Sequence, residues 1–277
     1  MKVEDFDMFC TLLRQRSGLV LTKDKAYLLE SRLMPVARKW NLKGLDELAA
    51  AVRTRRDEAL LRDMTEAMTT NESSFFRDQK PFDQFKSVVL PTMLQARAAK
   101  RQVRIWSAAC SSGQEPYSLA MLLNEEGTKL AGWRFEIVAT DLSGEMITKA
   151  RNGIYTQFEV QRGLPITHLV KYFKQVGDKW QLNQDLRDRV QYREFNLLND
   201  LSPLGQFDVI FCRNVLIYFD QPTKAKVLEA MSRILAPDGV LYLGGAETVL
   251  GITERFKPME GQRGLYTLAG APARALA

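Results

Sequence analysis

Glu115 and Asp141 are carboxylates set where one structural element hands over to the next, and together they suit a ligand with hydroxyls at one end and a positive charge at the other. Asp141 closes the apolar run at 135–140, which has the length and composition of a strand. At the carboxyl edge of a parallel sheet, an acidic side chain in that position accepts both hydroxyls of a ribose. Glu115 follows a run of small residues, Ala108, Ala109, Cys110, Ser111, Ser112 and Gly113, and precedes Pro116. A glycine before a first turn and a proline within it are helix-start signals, so Glu115 stands at the mouth of a helix. From there it would meet a cationic group such as an α-amine; the structural alternative is complementarity to the helix dipole.

These residues need a strand at 103–107, the small-residue loop at 108–113, a helix at 117–123 and the strand at 135–140. That order is the ligand-binding unit of an open α/β sheet. The loop departs from the dinucleotide fingerprint, which requires G-x-G-x-x-G so that backbone amides can approach two phosphates. Only Gly113 is present here. The loop therefore suits a ligand with a ribose and an amino-acid end but no phosphates, namely S-adenosylmethionine. A nicotinamide-dependent oxidoreductase would need the fuller glycine set. A nucleic-acid regulator would leave polar clusters at three strand ends without a purpose.

The second apolar run, at 206–212, ends in Arg213 and Asn214 and is followed by a helix at 223–235, the turn Pro237, Asp238, Gly239, and a strand at 240–244. This order resembles the second half of class I methyltransferases. Four motifs make the resemblance specific: TNESSFFR at 70–77, SGQEPYS at 112–118, ATDLS at 139–143 and FCRNVLIYF at 211–219. In this order and spacing they look like the chemotaxis receptor methyltransferases, the CheR family, with the likeness running from the first helix to about Leu268. The resemblance implies an α/β fold: a class I methyltransferase (Rossmann-like), doubly wound sheet with a small β-subdomain insertion, preceded by an all-α amino-terminal domain. It implies helical residues 1–72, a linker and the start of a helix at 73–90, and a catalytic domain at 91–277 with the β-subdomain at about 155–190. The implied reaction moves the methyl group of S-adenosylmethionine onto receptor glutamates, leaving S-adenosylhomocysteine. Asn71, Ser73, Arg77, Glu115, Asp141, Asn196, Leu197, Arg213 and Asn214 match family positions around the cofactor. Arg77 and Tyr218 match residues expected to orient the reacting groups, arginine as a fork for a carboxylate and tyrosine as a hydroxyl near the methyl group.

Composition is compatible with this reading. The chain of 277 residues is 45% hydrophobic, enough to bury a full core, and carries a net charge of +6. Apolar stripes at helical spacing, at Phe6, Phe9, Cys10 and Leu13, at Leu28, Leu29 and Leu33, and at Leu60, Leu61, Met64 and Met68, predict a helical unit. Arg32, Arg38 and Lys39 on its second helix and Arg53 after the third form a basic face. In the family, such a face is implicated in holding the receptor's glutamate-bearing helices. Residues 172–182 predict a hairpin around Gly177 and Asp178. Its turn is shorter and poorer in glycine than in relatives that grip a receptor pentapeptide, so no pentapeptide tether is expected. Cys10, Cys110 and Cys212 are widely spaced and predict no disulfide, and His168 has no companion ligand, so no metal is expected. With no apolar span or leader in the sequence, a cytoplasmic monomer that neither enters membranes nor binds nucleic acid is the expectation.

Overall fold

The computed structural model describes residues 2–55 and 57–271. The chain divides after residue 70 into two units, the first of which also takes 218–224.

The first unit is built on four helices, α1 (Val3–Ser17), α2 (Ala26–Lys39), α3 (Leu45–Arg55) and α4 (Glu58–Met68). The three apolar stripes fall on α1, α2 and α4, and their residues Phe9, Leu13, Leu29, Leu33, Leu60 and Met64 meet in one core. Burying side chains of this size is worth about 1.5–3 kcal/mol each. The stripes did not single out α3, which adds Leu48, Ala49 and Val52 to that core. Arg53 therefore lies in the last turn of α3 rather than after it. Asp57 starts α4 by accepting hydrogen bonds from the backbone N–H groups of Ala59 and Leu60. Gly18 ends α1 at φ 77°, and a Cβ there would lie 2.8 Å from the Phe219 ring, so both conformation and space demand glycine.

The second unit contains a seven-stranded sheet. Its strands are β1 (Gln102–Ala108), β2 (Arg134–Asp141), β6 (Val190–Glu194), β7 (Phe207–Cys212), β8 (Leu235–Leu243), β9 (Phe256–Pro258) and β10 (Leu265–Leu268), in the order β6-β2-β1-β7-β8-β10-β9. The strands from β6 to β8 run parallel, and β10 is antiparallel to β8 and β9. Ile105 in β1 is in register with Ile137 on one side and Val209 on the other. All three are buried, as expected of inner parallel strands covered on both faces. Strand order reverses between β1 and β7, which places the ligand crevice at their carboxyl ends.

Three smaller strands, β3 (Ile154–Thr156), β4 (Phe173–Val176) and β5 (Lys179–Leu182), form a separate antiparallel sheet in the order β3-β5-β4. The predicted hairpin is β4 and β5, with Val176 opposite Lys179 across Gly177 and Asp178, and Gly177 at φ 62°. The third strand, β3, is too short to show alternation and was not foreseen. The boundary between the helix after β7 and β8 differs from expectation. The helix after β7 spans Gln221–Ile234, and β8 already begins at Leu235, because Phe207 pairs with Leu235 before a register shift. Residues 80–96, at the start of the second unit, are helical in consecutive segments after the loop at 71–79.

Candidate active site

Six of the eight non-glycine residues with left-handed backbone among the described residues, Phe76, Asp78, Gln79, Ala109, Ser111 and Asn214, lie in three segments of the second unit. These are the loop at 71–79, the loop after β1 and the loop after β7. Sparsely populated backbone conformations gather where function holds a chain in place.

The three segments are joined by hydrogen bonds. Ser111 Oγ donates to the Asn71 carbonyl at 2.9 Å, and Ser118 Oγ accepts from the Phe76 N–H at 2.9 Å. The Arg213 side chain, only 2% exposed, ties the loop after β7 to the loop at 71–79 and to the helix that follows the loop after β1. Its Nη1 donates to Glu115 Oε2 at 2.9 Å, and its Nη2 donates to the Arg77 carbonyl at 2.9 Å and to Asp78 Oδ2 at 2.7 Å. Its Nε is buried without a partner among the described residues.

Glu115 stands in the first turn of the helix Gln114–Glu125, which opens after Gly113 at φ 92°. Its other oxygen accepts from Ser107 Oγ at 2.8 Å. The carboxylate expected to face a ligand amine is thus also half of a buried ion pair. Asp141, 7% exposed, accepts from the backbone N–H of Ser111 at 2.7 Å through Oδ2 and of Ser143 at 2.9 Å through Oδ1. Besides its proposed ribose contact, it therefore anchors the loops that follow β1 and β2. Asn196 Oδ1 accepts from the Leu198 N–H at 3.0 Å and shapes the turn after β6, where Leu197 is buried.

Arg77 is half-buried, and its Nη1 donates to the Glu72 carbonyl at 2.9 Å, while the Glu72 carboxylate pairs with Arg162. Ser73 is half-buried in the same loop. Tyr218 ends the single helical turn Leu216–Tyr218 and is counted with the first unit, where its carbonyl accepts from the Val20 N–H at 2.9 Å. Cys110 and Cys212 are fully buried. Burial pushes both thiols well above their ordinary range, with the charges of Asp141 and Glu115 adding at Cys110 and those of Glu247 and Glu115 at Cys212. Such thiols stay protonated and behave as small apolar groups. His168 packs edge-on to Phe76 and is tilted against Tyr172. Burial lowers its pKa, the Glu125 charge raises it and Lys171 lowers it further.

Two residues escaped sequence reasoning. Asp78 meets Arg213, but nothing in its neighbours marks it. Glu247, 9% exposed, accepts backbone N–H groups of the loop after β7. It sits among Gly244, Gly245 and Ala246 directly after β8, and that polar residue at a strand's carboxyl end was a legible signal.

This donor set fits S-adenosylmethionine. Each carboxylate oxygen has two lone pairs, so a carboxylate can accept from an amide and a hydroxyl together. A sheet that reverses order beside an acidic strand end, with a small-residue loop in place of a phosphate-binding one, is that of an S-adenosylmethionine-dependent methyltransferase. Comparison with known proteins agrees. The family profile described as CheR methyltransferase, SAM binding domain, matches residues 71–265, and that of the CheR methyltransferase, all-alpha domain, matches residues 4–69. The chain is 42% identical to chemotaxis protein methyltransferase 1 of Pseudomonas aeruginosa over 266 residues, covering 94% of this chain and 96% of the relative. It is 38% identical to the chemotaxis protein methyltransferase Cher2 of Pseudomonas putida, covering 94% and 96%. It is 40% identical to chemotaxis protein methyltransferase 1 of Vibrio cholerae, covering 95% of each chain. The chain belongs to the CheR family of chemotaxis methyltransferases, and its cofactor is S-adenosylmethionine.

Proposed function

We propose that the protein methylates glutamate side chains of methyl-accepting chemotaxis receptors, giving glutamate methyl esters and S-adenosylhomocysteine, and so serves adaptation in bacterial chemotaxis. One observation carries this reading: the buried carboxylates of the site are engaged as charged acceptors. Asp141 holds two backbone amides, Glu115 holds Ser107 and Arg213, and Glu247 holds a turn. Such groups suit binding better than proton removal. A glutamate nucleophile needs no base, because with an unperturbed pKa of about 4.3 it is already ionised at neutral pH. The cofactor supplies an electrophilic methyl group on a sulfonium. The chain's residues then have to align and desolvate, and alignment alone lowers such barriers by up to about 7–11 kcal/mol. Arg77 as the fork for the incoming carboxylate and Tyr218 as the hydroxyl beside the methyl group complete the proposal; Tyr218 rests on the resemblance of its motif. Transfer of label from methyl-labelled S-adenosylmethionine to receptor-bearing membranes tests it, and failure of any receptor to accept label would reject it.

The proposed receptor contact is the basic face of the helical unit, reached from the cytoplasm by a monomer. Its four cations are not equivalent. Arg32 Nη1 donates to the carbonyls of Met68 at 2.8 Å and Thr69 at 3.1 Å, where it closes α4. Lys39 pairs with Asp63 at 2.8 Å, and Arg53 pairs with the buried Asp5. Arg38 is exposed. Among the described residues no helix is long and apolar enough to cross a membrane. Arg38→Glu is expected to raise the receptor's apparent KM without changing cofactor affinity, and the native rate should fall steeply with salt. Arg53→Glu, which repels a buried carboxylate, should instead lower the melting temperature. Methylation that is insensitive to salt and to Arg38→Glu would remove the face from the account. The tight β4–β5 turn offers little edge for an added strand. The free pentapeptide is therefore expected to give no saturable change in Trp180 fluorescence; micromolar saturation would establish a tether.

A further inference from the structure

Glu247 has more backbone donors aimed at it than any role in charge pairing would need. Its Oε2 accepts from the N–H groups of Gly244 at 2.6 Å and Asn214 at 2.8 Å, and its Oε1 accepts from those of Val215 at 2.9 Å and Ile217 at 3.3 Å. It forms no ion pair among the described residues, so backbone amides alone answer its charge. Three of the four belong to the loop that follows β7, which carries Arg213 and Asn214. Asn214 sits there at φ 60°, a conformation that is sparsely populated and must be held by its surroundings.

The approach is close as well as specific. A Cβ placed on Gly244 would lie 2.7 Å from Glu247 Oε2 and 2.9 Å from both the backbone nitrogen and Nδ2 of Asn214. Gly244 thus lets the Asn214 amide side chain and the Glu247 carboxylate share one small space at the end of β8. Together the two residues fix where the Asn214 side chain points and where the loop leaves the sheet.

We propose that Glu247 is a positioning residue for the cofactor pocket, its carboxylate setting the 214–217 backbone so that Asn214 meets the cofactor. The proposal rests on the reading that Asn214 borders the cofactor, so its test treats the two separately. Replacement by glutamine is not conservative here. Whichever way the amide turns, its NH2 faces two backbone N–H groups.

Calorimetric titration of S-adenosylhomocysteine into four proteins, native, Asn214→Ala, Glu247→Gln and the double variant, reads the coupling between the two positions. Glu247→Gln is expected to raise Kd by about tenfold in the native background and to change it little once Asn214 is already alanine. A merely structural role would lower the melting temperature and the number of binding sites in both backgrounds, leaving Kd unmoved. Should Glu247→Gln fail to fold, Gly244→Ala pushes the same carboxylate and Asn214 apart, and the same non-additivity is expected. Wild-type Kd in Glu247→Gln, or equal losses in both backgrounds, would overturn the positioning role while leaving Asn214 in the pocket. Wild-type Kd in Asn214→Ala would overturn the proposal at its root by removing Asn214 from the cofactor.

Discussion

Asp141→Ala is expected to weaken S-adenosylhomocysteine binding by well over tenfold. Hydrogen bonds to a charged group are worth about 1.5–3 kcal/mol each, and the ribose would lose two of them. The structure adds a second cost. Asp141 also accepts from Ser111 and Ser143 N–H groups, so alanine leaves two buried donors unanswered and loosens the loops on either side of the ligand. Asp141→Asn keeps one oxygen for one of these amides and should fall between the two. Isothermal titration of folded variants decides the matter. An unchanged dissociation constant in Asp141→Ala would remove the residue from the cofactor site.

Arg77→Ala and Tyr218→Phe should lower the methylation rate by about 100-fold, the scale on which a misplaced reactant costs turnover. Melting temperature should change little. The Arg77 carbonyl, not its side chain, is what Arg213 grips, and alanine keeps that carbonyl. The side chain's own hydrogen bond, to the Glu72 carbonyl, lies in a half-exposed loop. Arg77→Ala therefore separates the guanidinium's part in turnover from the architecture. A kcat near the native value in both variants, measured at saturating receptor, would show that neither side chain orients the reacting groups.

The core of the fold was legible because inner parallel strands are apolar throughout and their ends are polar. The runs at 103–107 and 135–140 became β1 and β2 with one residue added at each end, and the run at 206–212 became β7 with Gln206 left outside the strand. Asp141 and Arg213 stood out for the same reason, since each is a charged residue where an apolar run stops, and Glu115 stood out as a charge at a helix start after a small-residue loop. What the sequence hid was pairing between distant segments. No spacing rule announces that Arg213 reaches both Glu115 and Asp78, or that Glu247 holds the loop after β7, because these contacts join segments far apart in sequence that only the fold brings together. The helix α3 was hidden differently: its buried face mixes the small Ala49 and Ala51 with Leu45, Leu48 and Val52, which thins an apolar stripe without weakening the helix. The basic face was half legible. Charge is visible in sequence, but the engagement of Arg32, Lys39 and Arg53 by their own unit depends on the fold.

The central claim is that the acceptor is a carboxylate, and the linkage formed in the product tests it most directly. Receptor membranes incubated with the enzyme and methyl-labelled S-adenosylmethionine should acquire label in the receptor band. Mild alkali should then release that label as volatile methanol, as a methyl ester requires. Label that stays on the protein through alkali would mean transfer to nitrogen or another stable acceptor, and would contradict the account.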